Sequence, residues 1–160
     1  MTTTIQDLGE IELLNRLKRF MRCGQIDDDV SEINTIHKSL LINTDLLVEK
    51  IHFSEEISNA KDIGWKCITT NISDLICSGS KNMISFSVGL VLPANTHWIW
   101  VENLYEGMWE AIQEFGGEII GGDCSCGETK MISITAIGEM NQPRLHRGNA
   151  LPGDYIVSTG

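Results

Sequence analysis

The chain has 160 residues, of which 42% are hydrophobic and 21% charged, and this composition is typical of a single globular domain. Its net charge of -10 argues against nucleic acid or an anionic membrane as the main partner, because both attract a basic surface. No apolar run reaches the roughly 18 residues that a membrane helix needs. The start of the chain lacks the features of a signal peptide, so a cytoplasmic location is expected.

The first 45 residues predict one helix and one strand. The helix is expected over residues 7–22, where apolar side chains recur at helical spacing and acidic residues precede basic ones. The strand is expected over residues 40–42, which are apolar. It is expected to end in the polar segment Asn43-Thr44-Asp45.

A second helix is expected from about Asn59 to Ser78. Ser58 is the predicted N-cap, and Gly79 is expected to stop the helix. The helix carries an apolar stripe, and positions three and four residues apart are neighbours on a helix surface. An adjoining polar face is therefore predicted to hold Asn71, Asp74 and Ser78.

The second half of the chain predicts a third helix and four strands. The helix spans about Thr96 to Phe115, because apolar residues repeat there with the 3.6-residue period and two glycines follow. The strands are expected over residues 83–92, 118–120, 131–138 and 155–158. The pattern predicts an α+β fold with a single sheet covered on one face by two long helices.

Several aspartates stand where an apolar element gives way to a turn, or on a polar helix face: Asp28, Asp29, Asp45, Asp74 and Asp123. Mg²⁺ prefers oxygen ligands and commonly combines a few carboxylates with substrate phosphate. Separate elements that converge at one end of a sheet can supply such a set. The alternative is that each aspartate is a cap or a turn former. Asp45 is the strongest candidate, because it interrupts an apolar run and a buried carboxylate needs a partner.

The segment GGDCSC, residues 121–126, allows two interpretations. Gly121 and Gly122 let the backbone approach a ligand closely, and Asp123 follows as a metal ligand. Cys124 and Cys126 instead resemble half of a zinc site, but structural zinc needs four ligands and the sequence has no second such pair. We interpret the cysteines as incidental. The chain also lacks a P-loop and a dinucleotide fingerprint, so a nucleotide phosphate must be held by metal, loop amides and isolated bases such as Arg147.

Taken together, the segments resemble the thiamine-monophosphate kinase family, which belongs to the aminoimidazole ribonucleotide synthetase superfamily. The segments that carry the resemblance are LGEIELLNRL, IDDDV, INTDLLVEKIHF, DIGWKCITTNISDLICSGS, IIGGDCSCG and HRGNALPGDYIVSTG. The resemblance implies in-line transfer of the γ-phosphoryl group of ATP to thiamine monophosphate, which gives thiamine diphosphate. It also implies that residues 1–160 are an N-terminal domain for binding ATP and Mg²⁺ and for dimerisation. In such a homodimer the two sheets form a barrel, and the nucleotide lies near the dimer interface.

The resemblance also implies roles for individual residues. The Mg²⁺ ligands would be Asp29, Asn43, Thr44, Asp45, Asp74 and Asp123. His52 would contact thiamine monophosphate, and the residues that hold ATP would be Tyr105, Gly122, Asp123 and Arg147. The sequence departs from the family pattern at Asp27 and Lys50, where glycine is usual, and at Cys124-Ser125-Cys126, where Thr-Thr-Arg is usual.

Two alternatives to this kinase remain at this point. The family carries a second domain of similar size beyond residue 160, without which residues 1–160 are expected to be inactive. The chain would then be a non-catalytic module that dimerises and binds Mg²⁺-nucleotide. The related enzyme selenophosphate synthetase is the other alternative, but it needs a reactive cysteine with a nearby lysine. Here Cys23 is followed by Gly24, and no such lysine comes after it.

Overall fold

The computed structural model describes residues 31–34, 39–140 and 143–158. Its elements in chain order are β1 (Ser31–Asn34), β2 (Ser39–Val48), α1 (Ala60–Cys77), β3 (Ser80–Leu92), α2 (Trp98–Phe115), β4 (Ile119–Cys126) and β5 (Met131–Met140), followed by a 3-10 turn (Arg147–Asn149). The helix predicted over residues 7–22 lies outside the described residues, as do Asp28 and Asp29. No helix in the described part is long and apolar enough to cross a membrane.

The strands form one five-stranded mixed sheet in the order β1-β2-β5-β3-β4. Only the β3–β4 pair is parallel; β1–β2, β2–β5 and β5–β3 are antiparallel. Helix α1 packs against β2, β3 and β5, and α2 packs against α1. The predicted α+β fold, with a single sheet and two long helices, is confirmed in this part of the chain.

The two faces of the sheet differ in burial. In β2, Leu41, Asn43 and Leu47 are buried, and the residues between them are more exposed, as the two-residue period of a strand requires. The buried side faces the helices and joins their apolar residues in one core. We call the other side the open face. It carries Leu46, which is 51% exposed.

The two helices approach each other closely through a pair of glycines. A Cβ atom at Gly64 of α1 would lie 1.9 Å from the carbonyl oxygen of Leu104. A Cβ atom at Gly107 of α2 would lie 1.9 Å from the carbonyl oxygen of Lys61. Beside this contact, Lys61 Nζ lies 2.7 Å from Glu110 Oε1. The distance between the helix axes therefore depends on the absence of two side chains.

The N-cap of α1 is Asn59, so the prediction of Ser58 was wrong by one residue. The Asn59 side chain accepts a hydrogen bond from the backbone N–H of Asp62, 2.9 Å away. It also donates from Nδ2 to Asp62 Oδ2 over 2.7 Å. Asparagine and serine are both good N-caps, and the side chain that reaches the third residue of the helix decides between them. At the other end, Gly79 follows the helix with φ of 101°.

Three strand predictions need correction. Residues 43–45 do not end a strand but lie inside β2, because β5 continues to pair with them through Thr44↔Thr135 and Asp45↔Ile134. Strand β4 runs on to Cys126, so Asp123 lies in a strand and not in a turn. Residues 155–158 form no strand. Tyr155 and Ile156 are 97% and 101% exposed, and an extended segment becomes a strand only where a neighbour completes its hydrogen bonds.

Candidate functional site

A polar group lies between β2 and α1, on the helix-covered side of the sheet. Asn43 is 5% exposed, and its Nδ2 donates to Asp74 Oδ2 on α1 over 3.3 Å. The Asn43 Oδ1 atom is buried and has no hydrogen-bond partner within the described ranges. Asp45, two residues along β2, is half-buried and lies on the same side by strand alternation. The structure thus brings Asn43, Asp45 and Asp74 to one side of the sheet.

Thr44 lies on the opposite side of β2 from these residues. Its Oγ1 is 2.9 Å from Thr135 Oγ1 on β5, and both side chains lie on the open face. The side chains of residues 43–45 therefore do not lie on one side of the sheet, although the resemblance implied that all three bind Mg²⁺.

The group at Asn43, Asp45 and Asp74 fits a hard divalent cation such as Mg²⁺. Its atoms are carboxylate and carboxamide oxygens, which are the ligands that this ion prefers. The buried Asn43 Oδ1 is an acceptor that a hydrogen-bond donor or a cation would satisfy. Among the described residues, no three His, Cys, Asp or Glu side chains lie close enough together to hold a metal ion. The fit therefore rests on two carboxylates and an amide oxygen, with phosphate or water oxygens completing a shell.

Gly122 is required by the packing of β4 on β3. Its φ is 159°, and a Cβ atom at this position would lie 1.8 Å from the carbonyl oxygen of Val88. The sequence interpretation assigned Gly122 to close approach of a ligand, whereas the backbone that approaches it closely here belongs to the neighbouring strand. Asp123 follows in β4 and lines a cavity of about 200 Å³ together with Leu46 and Ser133.

A larger apolar groove, of about 720 Å³, runs between α2 and β4. It is lined by Leu90, Trp98, Val101, Glu102, Tyr105, Glu106, Trp109, Ile119 and Cys124. Burial and the neighbouring Cys124 raise the pKa of Tyr105, so its hydroxyl stays protonated over an even wider pH range than usual. Tyr105 also lines an adjoining cavity with Gly122 and Asp123. Two predicted nucleotide residues, Tyr105 and Gly122, are therefore neighbours in the structure.

Two tryptophans of this groove, Trp98 and Trp109, were missed by the sequence analysis. They are 70% and 59% exposed. Together with Tyr105 they stand at positions i, i+7 and i+11 of α2, which share one helix face. This aromatic spacing was visible in the sequence and could have indicated a binding surface.

Asp45 and Gly122 stand at the same level of the sheet but on different strands. The register runs from Asp45 to Ile134, then to Val88 and then to Gly122. Adjacent strands lie about 4.8 Å apart, so three steps separate the two residues by about 14 Å along the sheet. In one chain, therefore, the group at Asn43, Asp45 and Asp74 and the β4 residues are not in contact.

His52 lies in the exposed loop between β2 and α1. Its Nδ1 accepts a hydrogen bond from the backbone N–H of Val48 over 3.0 Å, so a neutral imidazole carries its proton on Nε2. Its backbone carbonyl accepts from Lys66 Nζ of α1 over 2.8 Å. The same loop is fixed by Lys130, whose Nζ lies 2.9 Å from Glu55 Oε1 and 3.3 Å from Glu49 Oε1. The loop that carries His52 is therefore held in place by Lys66 and Lys130.

Arg147 is exposed and lies in the short 3-10 turn after β5. The segment that carries it returns to the C-terminal end of α1, where the backbone N–H of Leu145 donates to the Ser78 carbonyl over 3.1 Å. Lys50, where the family resemblance leads us to expect glycine, has φ of 67°. This left-handed conformation explains why glycine suits the position.

Residues 27–140 match the family described as AIR synthase related protein, N-terminal domain. The chain belongs to this family. Within it, the chain is similar to thiamine-monophosphate kinases, as the sequence analysis expected. The thiamine-monophosphate kinase of Prochlorococcus marinus is 51% identical over 156 residues, which cover 98% of this chain and 47% of that protein. The corresponding protein of Synechococcus elongatus is 33% identical over 159 residues, covering 98% of this chain and 48% of that protein.

Solved structures agree with the sequence relatives. The structure of AaThiL complexed with AMPPCP and TMP matches with a TM-score of 0.80 and 32% identity. The match covers 87% of this chain and 44% of that chain. The chain thus spans about half the length of the curated relatives and of this solved structure.

Proposed function

We propose that the protein to which this chain belongs transfers the γ-phosphoryl group of ATP to thiamine monophosphate. The products are thiamine diphosphate and ADP. The observation that carries the proposal is the 51% identity to a thiamine-monophosphate kinase across 98% of the chain. The AaThiL complex with AMPPCP, an ATP analogue, and TMP supports the same substrates.

The polar group between β2 and α1 supports a magnesium site for this reaction. Asn43, Asp45 and Asp74 would hold the ion through oxygen atoms, and bound Mg²⁺ would neutralise charge on the two phosphates that must meet. The same proposal assigns a further ligand position to Asp29. It also assigns ligand positions to Thr44 and Asp123, which lie on the open face and would therefore hold a separate ion. The chain itself keeps Asn43 and Asp74 in place through their mutual hydrogen bond.

The remaining assignments concern the two substrates. The groove beside Tyr105 and Gly122 supports binding of the nucleotide there, because its aromatic wall offers stacking area for a base. Arg147 would contact the phosphates of ATP. His52 would contact thiamine monophosphate, with Nε2 free to act as the donor.

The proposed chemistry is a direct in-line displacement. A terminal phosphate oxygen of thiamine monophosphate forms a bond to the γ-phosphorus, the bond from that phosphorus to the bridging oxygen breaks, and ADP leaves with the electron pair. The acceptor oxygen is already ionised near neutral pH, because the second pKa of such a phosphate is about 6. A covalent enzyme intermediate and a strong general base are therefore unnecessary. Positioning and charge stabilisation carry the reaction.

The test is formation of thiamine diphosphate, measured by chromatography, with ATP, Mg²⁺ and thiamine monophosphate. Because the chain spans about half of its relatives, residues 1–160 and the complete reading frame that carries them are assayed in parallel. We expect product from the complete protein and none from residues 1–160. A complete protein that binds Mg²⁺-ATP but forms no product with saturating thiamine monophosphate would favour the non-catalytic module. No observation here favours selenophosphate synthetase.

We also propose that two copies of the chain pair through the open face, so that their sheets form a barrel. Leu46 on this face is 51% exposed, and Ile42, Met131 and Ile137 beside it are half-buried. An apolar sheet face of this kind is stabilised when a second sheet covers it. As the family resemblance implies, the nucleotide would lie near the interface between the two copies.

If two copies pair through the open face, a charge placed on that face should disrupt the dimer. Leu46→Asp is expected to convert the protein from dimer to monomer in sedimentation velocity, because an unpaired carboxylate would have to be buried in the interface. Ile51→Asp is the matched control, since Ile51 is 75% exposed in the loop after β2, and this variant is expected to remain dimeric. A dimeric Leu46→Asp protein with unchanged affinity would remove the open face as the interface.

A further inference from the structure

Asn71 on α1 is a polar side chain in an enclosed position. It is 0% exposed, although the helix pattern predicts it on a polar surface. Its Nδ2 donates to the carbonyl oxygen of Cys67 over 2.9 Å. Its Oδ1 is buried and has no hydrogen-bond partner in the part of the chain that the structure describes. A buried amide oxygen in this state is unfavourable unless something else satisfies it.

The position of Asn71 along α1 places it beside the polar group. Asp74, one turn later, contacts Asn43 of β2, and Lys66, earlier in the helix, contacts the carbonyl of His52 beyond the end of β2. Helix α1 and strand β2 therefore run in opposite directions, with contacts at both ends. Asn71 falls between these contacts along α1, three residues before Asp74, and residues three apart share one helix face.

The orientation of the carboxamide is fixed by its own nitrogen. Only an amide N–H can donate to the Cys67 carbonyl, so the assignment of nitrogen and oxygen is unambiguous. Nitrogen and oxygen diverge from one carbon atom, so the bond to Cys67 directs Oδ1 away from the preceding turn. Asn43, which contacts Asp74, and Asn71, which shares a helix face with Asp74, thus each carry a buried amide oxygen without a partner among the described residues.

We propose that the Asn71 carboxamide oxygen is a further contributor to the cation site at Asn43, Asp45 and Asp74. The inference rests on the proposed function, in which this site holds Mg²⁺. A purely structural asparagine would need only its donor to Cys67, and a leucine of similar volume would fill the same space without an unsatisfied oxygen. The presence of that oxygen is explained when a cation, or water bound to the cation, lies against it.

The test is binding of Mg²⁺ alone to the complete protein, followed by the rise in melting temperature and by competition with Mn²⁺ in electron paramagnetic resonance. Asn71→Leu is expected to weaken Mg²⁺ binding by about tenfold or more, as loss of supporting groups around metals does. Its melting temperature without metal is expected to equal or exceed that of the wild type.

Thr69→Val is the matched control. Thr69 Oγ1 bonds the Trp65 carbonyl over 3.0 Å, so the variant also removes a bond from a side chain to the preceding turn, but on the far side of α1. It is expected to bind Mg²⁺ normally. If the wild type binds Mg²⁺ and Asn71→Leu binds it equally, the role of Asn71 is overturned while the metal site stands. If the wild type binds neither ion, both the role and the metal assignment fail.

Discussion

Replacing Asp45 with asparagine in the complete protein is expected to lower the rate of thiamine diphosphate formation by about 10²–10³-fold. The substitution keeps the size of the side chain and removes one negative charge from the group with Asn43 and Asp74. A cation held there would lose attraction at the step where two phosphates approach. The fold is expected to survive, because a neutral amide is easier to accommodate in a half-buried position than a carboxylate.

The measurement is a steady-state assay over a range of Mg²⁺ concentrations, with circular dichroism to confirm the fold. Glu114→Gln removes a charge of the same sign from an exposed position on α2, and it should leave the rate unchanged. Partial recovery of Asp45→Asn at high Mg²⁺ would fit weakened metal binding. A folded Asp45→Asn protein with near wild-type rates at all Mg²⁺ concentrations would remove Asp45 from the metal site.

The helices of this fold were predictable because their periodicity is local. The second predicted helix, about Asn59 to Ser78, is Ala60–Cys77 in the structure, and the predicted helix Thr96 to Phe115 is Trp98–Phe115. Each contains several turns of apolar residues at the 3.6-residue period of a helix, which differs from the two-residue period of a strand. Errors of one or two residues arise at the ends, where capping side chains compete.

The strand boundaries were less predictable, because a strand ends where its neighbour ends. Residues 43–45 are polar and were interpreted as a turn, yet β5 supplies partners for all of them. Strand β4 extends through two glycines because parallel pairing with β3 holds it, and β3 lies more than 25 residues earlier. The composition of a short stretch of sequence cannot reveal partner strands that lie far away in the chain.

The candidate site was likewise predictable where the signal is local and not where it depends on distant partners. Asp45 and Asp74 could be selected as candidate ligands from their unusual positions in the sequence, but their distance from Gly122 follows only from the strand order. The burial of Asn71 was likewise hidden, because its helix position borders both the apolar stripe and the polar face. Only the packing of α1 in the folded chain determines which of these surfaces it joins.

Gly107→Ala is expected to destabilise the protein by about 2–3 kcal/mol, the largest loss of stability that we predict for adding a single methyl group. The new Cβ would lie 1.9 Å from the Lys61 carbonyl oxygen, which is backbone and cannot rotate away. Alanine favours a helix by about 1 kcal/mol over glycine, so the intrinsic propensity acts in the opposite direction and the clash must exceed it. The melting temperature is expected to fall by about 4–12 °C, given a slope of about 2–4 °C per kcal/mol for this size.

Gln113→Ala on the exposed side of α2 is the control for propensity, and it should change stability by less than about 0.5 kcal/mol. The double variant Gly64→Ala with Gly107→Ala tests the mechanism. Both methyl groups force the same two helices apart, so the second costs less once the first has separated them, and the two losses should not add. Urea unfolding of the single and double variants measures this coupling. Strictly additive losses, or a Gly107→Ala protein more stable than the wild type, would show that the helices are not held at this distance by the glycine pair.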